Sequence, residues 1–368
     1  KEKNIYFESQ NNSSEIKCDV TICLPAEIYR GMNMIGRITG TGSYIPSYCM
    51  DNNDIAKLVE TSDEWIQERT GVARRHIITN ETTVSMAAEA GKRALENANV
   101  RPEEVDLILV STISSNVILP CAACEVQKEI GALNATCFDL SAACTGFVLA
   151  YNTAAAYIAA GMYQTVLVIG SESLSNLTNW EDRGTCILFG DGAGAAVVQA
   201  YDAQNEEITT DRMYFPVTHS DGKSGKALTL KSRHDANGLT KKIDKETVFD
   251  EEHFMQMDGQ AVFKFAVKKV PEVITETLEK NKLKKENIAC YVLHQANRRI
   301  IEAVARRLDE PIEKFPMNLK EYGNTSSASI PILLDECNRK GKLKSGSKIV
   351  LAGFGAGLTW GATIIQWS

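Results

Sequence analysis

Apolar and polar positions along the chain follow two rhythms. Short, nearly continuous apolar runs predict strands at Ile35–Thr39, Leu107–Ser111, Cys137–Leu140, Val166–Ile169, Ala195–Val198, Ala289–Leu293, Ile349–Ala352 and Ala362–Gln366. Between them, apolar residues recur at helical spacing and predict helices over Met86–Asn97, Ala122–Ile130, Gly146–Ala160, Ala261–Lys280 and Ile300–Leu308. Alternating strands and helices imply an α/β fold with largely parallel sheets. Residues 201–255 are polar and rich in Asp, Lys, Thr and Gly, and read as connecting strands and loops.

The pattern repeats at a constant offset of 183 residues. Ala94–Val110 (ALENANVRPEEVDLILV) and Thr277–Leu293 (TLEKNKLKKENIACYVL) are each a polar helix end, a charged turn and an apolar strand. The same offset carries Thr165–Gly170 onto Lys348–Gly353, and Cys144 onto Ser327. Any two helix–strand units look alike once; three segments in register imply duplication. The expected organisation is two similar halves, 34–200 and 201–368, packed as one body. Equivalent strand and helix ends then meet, where a composite active site can form.

Composition narrows the picture. The 368 residues are 44% hydrophobic and 24% charged, enough for a large core. A net charge of −7 argues against nucleic-acid binding as the main task. No apolar run approaches the roughly 18 residues needed to span a membrane. The ten cysteines, several in apolar runs (Cys137, Cys186, Cys290), read as reduced and buried in a cytosol-like compartment. Cys121 and Cys124 form a Cys-x-x-Cys, but no second Cys or His pair stands nearby, so neither zinc nor redox chemistry is expected there. Residues 1–33 are polar and precede Met34, which stands just before the first predicted strand and reads as a natural start; they read as an N-terminal extension, and NIYFES faintly resembles a protease-cleavable tag.

Candidate chemistry centres on Cys144, in FDLSAACTGFVLAYNTAAAYIAAG. An apolar strand ends near Leu140 and an Ala-rich helix begins near Gly146, which puts the thiol at a helix N-terminus. Unpaired amides and the helix dipole there are expected to favour a thiolate and to bind an oxyanion. A buried structural Cys is the plain alternative. His294 directly follows the strand Ala289–Leu293 and matches Ser111 by the repeat; a lone His at such a place is more often a structural hydrogen-bonder. Asn324, in YGNTSSASIP, falls opposite Ser141, three residues before the counterpart of Cys144; a turn or cap Asn is its plain alternative. FGDGAGAA (189–196) and GFGAGLTWG (353–361) are neither GxGxxG nor P-loops, but beside a Cys site such a turn can donate a second oxyanion-hole amide.

Taken together, these residues resemble the 3-oxoacyl-ACP synthase III family (ACP, acyl-carrier protein), the initiating condensing enzymes of type II fatty-acid synthesis. The matching segments are GTGSYIP, TSDEWIQERTG (61–71), SAACTGF, WEDRGTCILFGDGAGA (180–195), MDGQAVFKFAV (257–267), HQANRRI (294–300), GNTSSASIP (323–331) and GFGAGLTWG, over about nine tenths of the chain. The resemblance implies a thiolase-like fold, a duplicated five-layered αβαβα body, in a homodimeric, cytoplasmic enzyme. It assigns Cys144 as the nucleophile that accepts an acyl group from acyl-CoA. His294 and Asn324 are assigned to bind malonyl-ACP, and the backbone amides of Cys144 and Ala356 to form the oxyanion hole. Ala356 stands where many members have Gly.

By the same resemblance Trp65 and Arg183 sandwich the CoA adenine, with Arg69, Thr70 and Gly184 alongside. Phe189, Gly259, Phe263, Ala296 and Asn297 line the pantetheine channel. Lys264, Arg299, Arg306 and Arg307 meet the acidic ACP. On the last helix Ile300, Val304 and Leu308 share one face by spacing, with the arginines on another. Leu119 stands where relatives often carry Phe reaching the partner subunit's acyl pocket, which implies room for branched or longer starters. No cofactor beyond the CoA thioester substrate and no metal are implied.

Rival readings fit less of the chain. A thiolase needs a second Cys near the C-terminus, and elongating enzymes need a second His. Plant-type polyketide synthases share Cys-His-Asn but lack TSDEWI…RTG and WEDRGT. A specialised starter enzyme of a polyketide or quinolone pathway stays open. A papain-like hydrolase has the order Cys, His, Asn, but this Cys lies deep in the chain and outside a CGSCW motif. A non-catalytic ACP-binding protein would have no use for the three residues together.

Overall fold

In the computed structural model, residues 34–202, 214–231 and 254–368 are described. The extension 1–33 and the junction residues 203–213 and 232–253 lie outside the described residues.

The first half runs β1 (Met34–Tyr44), β2 (Tyr48–Asp51), α1 (Asn52–Ile55), α2 (Asp63–Thr70), β3 (Arg74–Ile77), α3 (Thr83–Ala98), β4 (Leu107–Ser111), α4 (Ala122–Ile130), β5 (Thr136–Leu140), α5 (Gly146–Ala159), β6 (Thr165–Glu172) and β7 (Gly192–Asp202). The second runs β8 (Val217–Ser220), β9 (Leu228–Thr229), β10 (Gln256–Met257), α6 (Gly259–Lys280), β11 (Ile288–Leu293), α7 (Arg298–Leu308), α8 (Leu319–Tyr322), α9 (Ser329–Arg339), β12 (Lys348–Gly355) and β13 (Thr359–Gln366). The sequence repeat reappears in the elements. β6 and β12 are both eight residues long, and 183 positions separate Thr165 from Lys348. The short 3₁₀ turns Ala143–Thr145 and Ser326–Ala328 stand at the same offset, as do the starts of α5 and α9 at Gly146 and Ser329.

One sheet has the order β1-β7-β6-β4-β5 and the other β11-β12-β13-β8. The expectation of largely parallel sheets is corrected. β4 runs parallel to β5 and β6, and β11 parallel to β12, but β7 is antiparallel to β1 and β6, and β13 to β12 and β8. The reason is plain for β12 and β13: only Ala356–Leu358 joins them, far too little chain for a crossover.

Strand alternation builds the layers. Leu107 and Leu109 of β4, Val166 and Val168 of β6, and Ile349 and Leu351 of β12 point to a central layer made of α5 and α9. Ile108, Val110, Leu167 and Ile169 point the other way, onto α3 and α4. On the far side Val350 and Ala352 meet α6 and α7. The strands read as unbroken apolar runs because both faces are covered. The stack is helix, sheet, helix, sheet, helix, the five-layered arrangement the resemblance implied. α5 lies between two sheets, so it is apolar nearly all round rather than striped. Among the described residues no helix is long and apolar enough to cross a membrane.

Candidate active site

The cavity chemistry begins at the two duplicated turns. β5 ends at Leu140 and α5 starts at Gly146, with Cys144 in the 3₁₀ turn between them. Ala143 has φ 46° and its counterpart Ser326 has φ 47°. Left-handed backbone at a non-glycine residue costs about 1–2 kcal/mol, and it recurs at equivalent points of the two halves. The two turns face each other: Cys144 Sγ lies 3.5 Å from Ser326 Oγ. Cys144 is 7% exposed.

Burial corrects the expected thiolate. It pushes the Cys144 thiol from its ordinary 9.0 up to about 12, with Glu172 pushing the same way, against the Ser326 hydroxyl and a backbone amide. Such a rise corresponds to about 4 kcal/mol, whereas a helix end supplies roughly 0.3–1 kcal/mol, up to about 2. Burial wins, and the resting side chain is a thiol.

His294 follows β11 and is 1% exposed. Its backbone amide donates to Ala352 O at 2.9 Å, which locks it to β12, and Phe354 packs against the ring edge at 5.2 Å between centroids. Nδ1 lies 2.7 Å from Ser329 Oγ at the start of α9. Burial drives the imidazole pKa down to about 3, so the ring is neutral at ordinary pH. Asn324, 7% exposed, is held by its backbone: its amide donates to Leu188 O at 2.8 Å and its carbonyl accepts from Gly190 N at 3.1 Å. Its Oδ1 accepts from Ser326 N at 2.9 Å. The side-chain oxygen is therefore committed, and Nδ2 remains as a donor.

Cys144, His294 and Asn324 line one cavity of about 690 Å³, a size suited to a small-molecule substrate. Ala356, Arg69, Thr70, Gly184, Phe189, Gly259, Phe263, Lys264, Ala296, Asn297 and Arg299, all anticipated, also line it. Thr70 contributes wall rather than a free hydroxyl, since its Oγ1 donates to Ile66 O at 2.6 Å and accepts from Val72 N at 3.0 Å. Asn297 caps α7 by accepting from Arg299 N and donates to Arg69 O at 3.0 Å, tying two walls together.

Five anticipated residues do not line the cavity. Trp65 and Arg183 stand beside its wall residues Arg69 and Gly184, with the guanidinium carbons of Arg69 and Arg183 at 4.5 Å and 5.0 Å from the indole centroid. Arg306 and Arg307 are exposed in the last turn of α7, whose Ile300, Val304 and Leu308 are buried. Leu119 is 85% exposed and lies outside the cavity that holds Cys144.

The sequence reading missed the residues that brace the site. Glu172, at the end of β6, is fully buried and accepts from Ser114 Oγ (2.6 Å), Ser327 Oγ (2.9 Å), Ile113 N (3.1 Å) and Thr112 Oγ1 (3.3 Å). It thereby ties the second-half turn to the end of β4. Burial raises its pKa, opposed by those hydrogen bonds. Gly355 abuts the thiol: a Cβ there would stand 2.8 Å from Cys144 Cβ and 3.2 Å from Sγ. Glycines at 170 and 353, equivalent by the repeat, let β6 and β12 approach Ser327 O and Thr145 Cα in the facing turns. A Gly-to-Gly match under the offset was the available signal.

Comparison with known proteins adds independent findings. The family models described as 3-oxoacyl-(acyl-carrier-protein) synthase III and its C-terminal part match residues 138–214 and 278–367. A relative from Clostridium acetobutylicum, named beta-ketoacyl-(acyl-carrier-protein) synthase III, is 46% identical over 92% of this chain and 100% of its own. Among solved structures, 3-oxoacyl-(acyl-carrier-protein) synthase III from Aquifex aeolicus is 41% identical with a TM-score of 0.81, covering 90% of this chain and 100% of its own. The priming beta-ketosynthase of a polyketide pathway is 35% identical with a TM-score of 0.82, covering 90% and 96%.

Proposed function

The chain belongs to the 3-oxoacyl-ACP synthase III family, thiolase-like condensing transferases of fatty-acid synthesis, and we propose that it joins an acyl-CoA starter to malonyl-ACP through an acyl-Cys144 intermediate. The observation that carries this reading is the convergence of Cys144, His294 and Asn324 on one cavity from the matched turns and an adjoining strand end.

In the first half-reaction Cys144 Sγ attacks the starter carbonyl, and CoA leaves with the electron pair of the broken C–S bond. Because burial opposes a free thiolate, the sulfhydryl proton departs as CoA is expelled as its thiol. The amides of Cys144 and Ala356 receive the oxyanion. The anticipated adenine sandwich needs Arg183 to swing aside, because its guanidinium carbon already lies 5.0 Å from the Trp65 indole centroid, closer than an inserted purine ring allows.

In the second half-reaction the malonyl thioester oxygen takes hydrogen bonds from Asn324 Nδ2 and His294. In this role Ser329 Oγ, 2.7 Å away, donates its proton to His294 Nδ1 while accepting from Gln295 N at 3.3 Å. Nε2 then carries the imidazole proton toward the substrate. Two neutral donors stabilise the enolate formed as carbon dioxide leaves. The carbanion attacks the acyl-Cys144 carbonyl, the new C–C bond forms, the C–S bond breaks, and the released thiolate takes one proton from solvent, replacing the one that left with CoA. The product is 3-oxoacyl-ACP, and splitting the chemistry in two makes the kinetics ping-pong. No step needs a bound cofactor.

Lys264, Arg299, Arg306 and Arg307 form the basic face that meets the acidic carrier. β5 is an unpaired sheet edge among the described residues, and Ile118, Leu119 and Leu133 are exposed apolar side chains. Both features support a homodimer in which Leu119 enters the partner's acyl pocket. The eight described cysteines are all free, which supports a cytoplasmic setting. The polyketide-priming ketosynthase is 35% identical, against 46% for the synthase III relative from Clostridium acetobutylicum, and starter identity decides between the two pathways.

The test separates the half-reactions. His294→Ala and Asn324→Ala are expected to lose malonyl-ACP decarboxylation by about 10²-fold or more while starter transfer onto the protein persists. Decarboxylation at the parent rate in both variants would sink the assignment.

A further inference from the structure

Away from the cavity, one cluster of ligand-type side chains has no assigned task. β2 and β3 pair antiparallel with Cys49 opposite His76, so both side chains rise from one face of the hairpin. Helix α8 brings Glu321 to that face, and one ligand atom from each of the three lies within 4.8 Å of the other two. His76 Nδ1 lies 2.6 Å from the Pro46 carbonyl oxygen. That oxygen can only accept, so Nδ1 carries the ring proton. Nε2 is left as a lone pair, 3.9 Å from Glu321 Oε1, too far for a hydrogen bond. A nitrogen lone pair, a carboxylate oxygen and a sulfur thus converge on one point. An imidazole that donates its other N–H to a backbone carbonyl is the arrangement metal-binding histidines adopt.

We propose that Cys49, His76 and Glu321 bind a zinc-type divalent cation, with its fourth position open to water. The mixed sulfur, nitrogen and oxygen donors select a borderline-soft ion, while a single carboxylate is too little for magnesium or calcium. A tetrahedral ion with bonds of about 2.0–2.3 Å sets its ligand atoms roughly 3.3–3.7 Å apart, so modest side-chain rotation closes the site. Cys49 is exposed, which gives the ion entry. Arg74 Nη1, 3.6 Å from Glu321 Oε1, is the competing cation, and the second carboxylate oxygen can keep it while Oε1 takes the metal. The bound ion would clamp the β2–β3 hairpin to α8, which runs directly into Gly323 and Asn324. Spacing rules miss this site because its ligands lie at positions 49, 76 and 321.

The test is a cobalt titration of the full chain after chelator treatment, with the cysteines kept reduced. One equivalent should bind with a thiolate-to-cobalt charge-transfer band, be displaced by zinc, and raise the melting temperature. Cys49→Ser and His76→Gln should each weaken binding about tenfold or more, with near-ultraviolet circular dichroism reporting that each variant is folded. The double variant Cys121→Ser/Cys124→Ser should bind as the parent does. Absence of the band, equal affinity in Cys49→Ser and His76→Gln, or loss of binding only in the double variant each overturns the proposal.

Discussion

At the scale of single residues, the site is governed by burial. His294 is held near pKa 3 against an ordinary 6.5 because burial disfavours its charged form. Below pH 6.5 the unfolded chain takes up a proton that the native chain refuses, so acidification destabilises the fold. The loss from this group is about 1 kcal/mol at pH 5.5 and grows until about pH 3. Urea denaturation of the parent and of His294→Asn at pH 7.5 and 5.5 checks this: the variant should lose less stability on acidification, and equal losses would show that His294 does not stay neutral. Gly355 is the second residue-scale constraint. Gly355→Ala places a methyl 2.8 Å from Cys144 Cβ. Moving the thiol by about 1 Å is expected to lower kcat/KM roughly 10²-fold, with a stability cost of about 1–3 kcal/mol. Parent-like turnover in Gly355→Ala would show that the turn has slack.

At the scale of elements, much was legible because the signal was periodic. α4 (Ala122–Ile130) appears with its anticipated bounds, and the strands around Leu107, Val166 and Ile349 fall where their apolar runs lie. The elements missed are those without a clear stripe. α2 is short and polar, starting at an N-cap in which Ser62 Oγ accepts from Trp65 N at 3.2 Å. α9 carries Pro331 in its first turn, where a missing N–H costs nothing, but in sequence it reads as a break. Cys144, His294 and Asn324 were singled out because repeat and motif agreed, and they line one cavity. Their bracing by Glu172, Ser326 and Ser329 was not legible, because those contacts join residues far apart in the chain. α7 yields the element-scale prediction. Reversing charge with Arg306→Glu and Arg307→Glu should raise KM for malonyl-ACP about tenfold at low salt and leave starter transfer from acyl-CoA unchanged. The effect should shrink with added salt, and an unchanged KM would remove these residues from the carrier surface.

At the scale of the whole molecule, duplication explains why the site exists. Each half supplies a left-handed turn before a central helix, and the two turns meet across the central layer. One turn carries the thiol. The other carries Ser326, anchored to Asn324, and Ser327, anchored to Glu172. Glu172→Ala removes a buried acceptor of four hydrogen bonds and should cost about 2–4 kcal/mol, measured by denaturant unfolding. A loss under 1 kcal/mol would show that Glu172 does not brace the facing turns. The central claim is that catalysis passes through an acyl group on Cys144, and intact-protein mass after incubation with acetyl-CoA or a branched acyl-CoA tests it most directly. One acyl group per chain, mapped to the Cys144 peptide and absent from Cys144→Ser, is the predicted result. An unmodified parent, or an adduct that persists in Cys144→Ser, would contradict it.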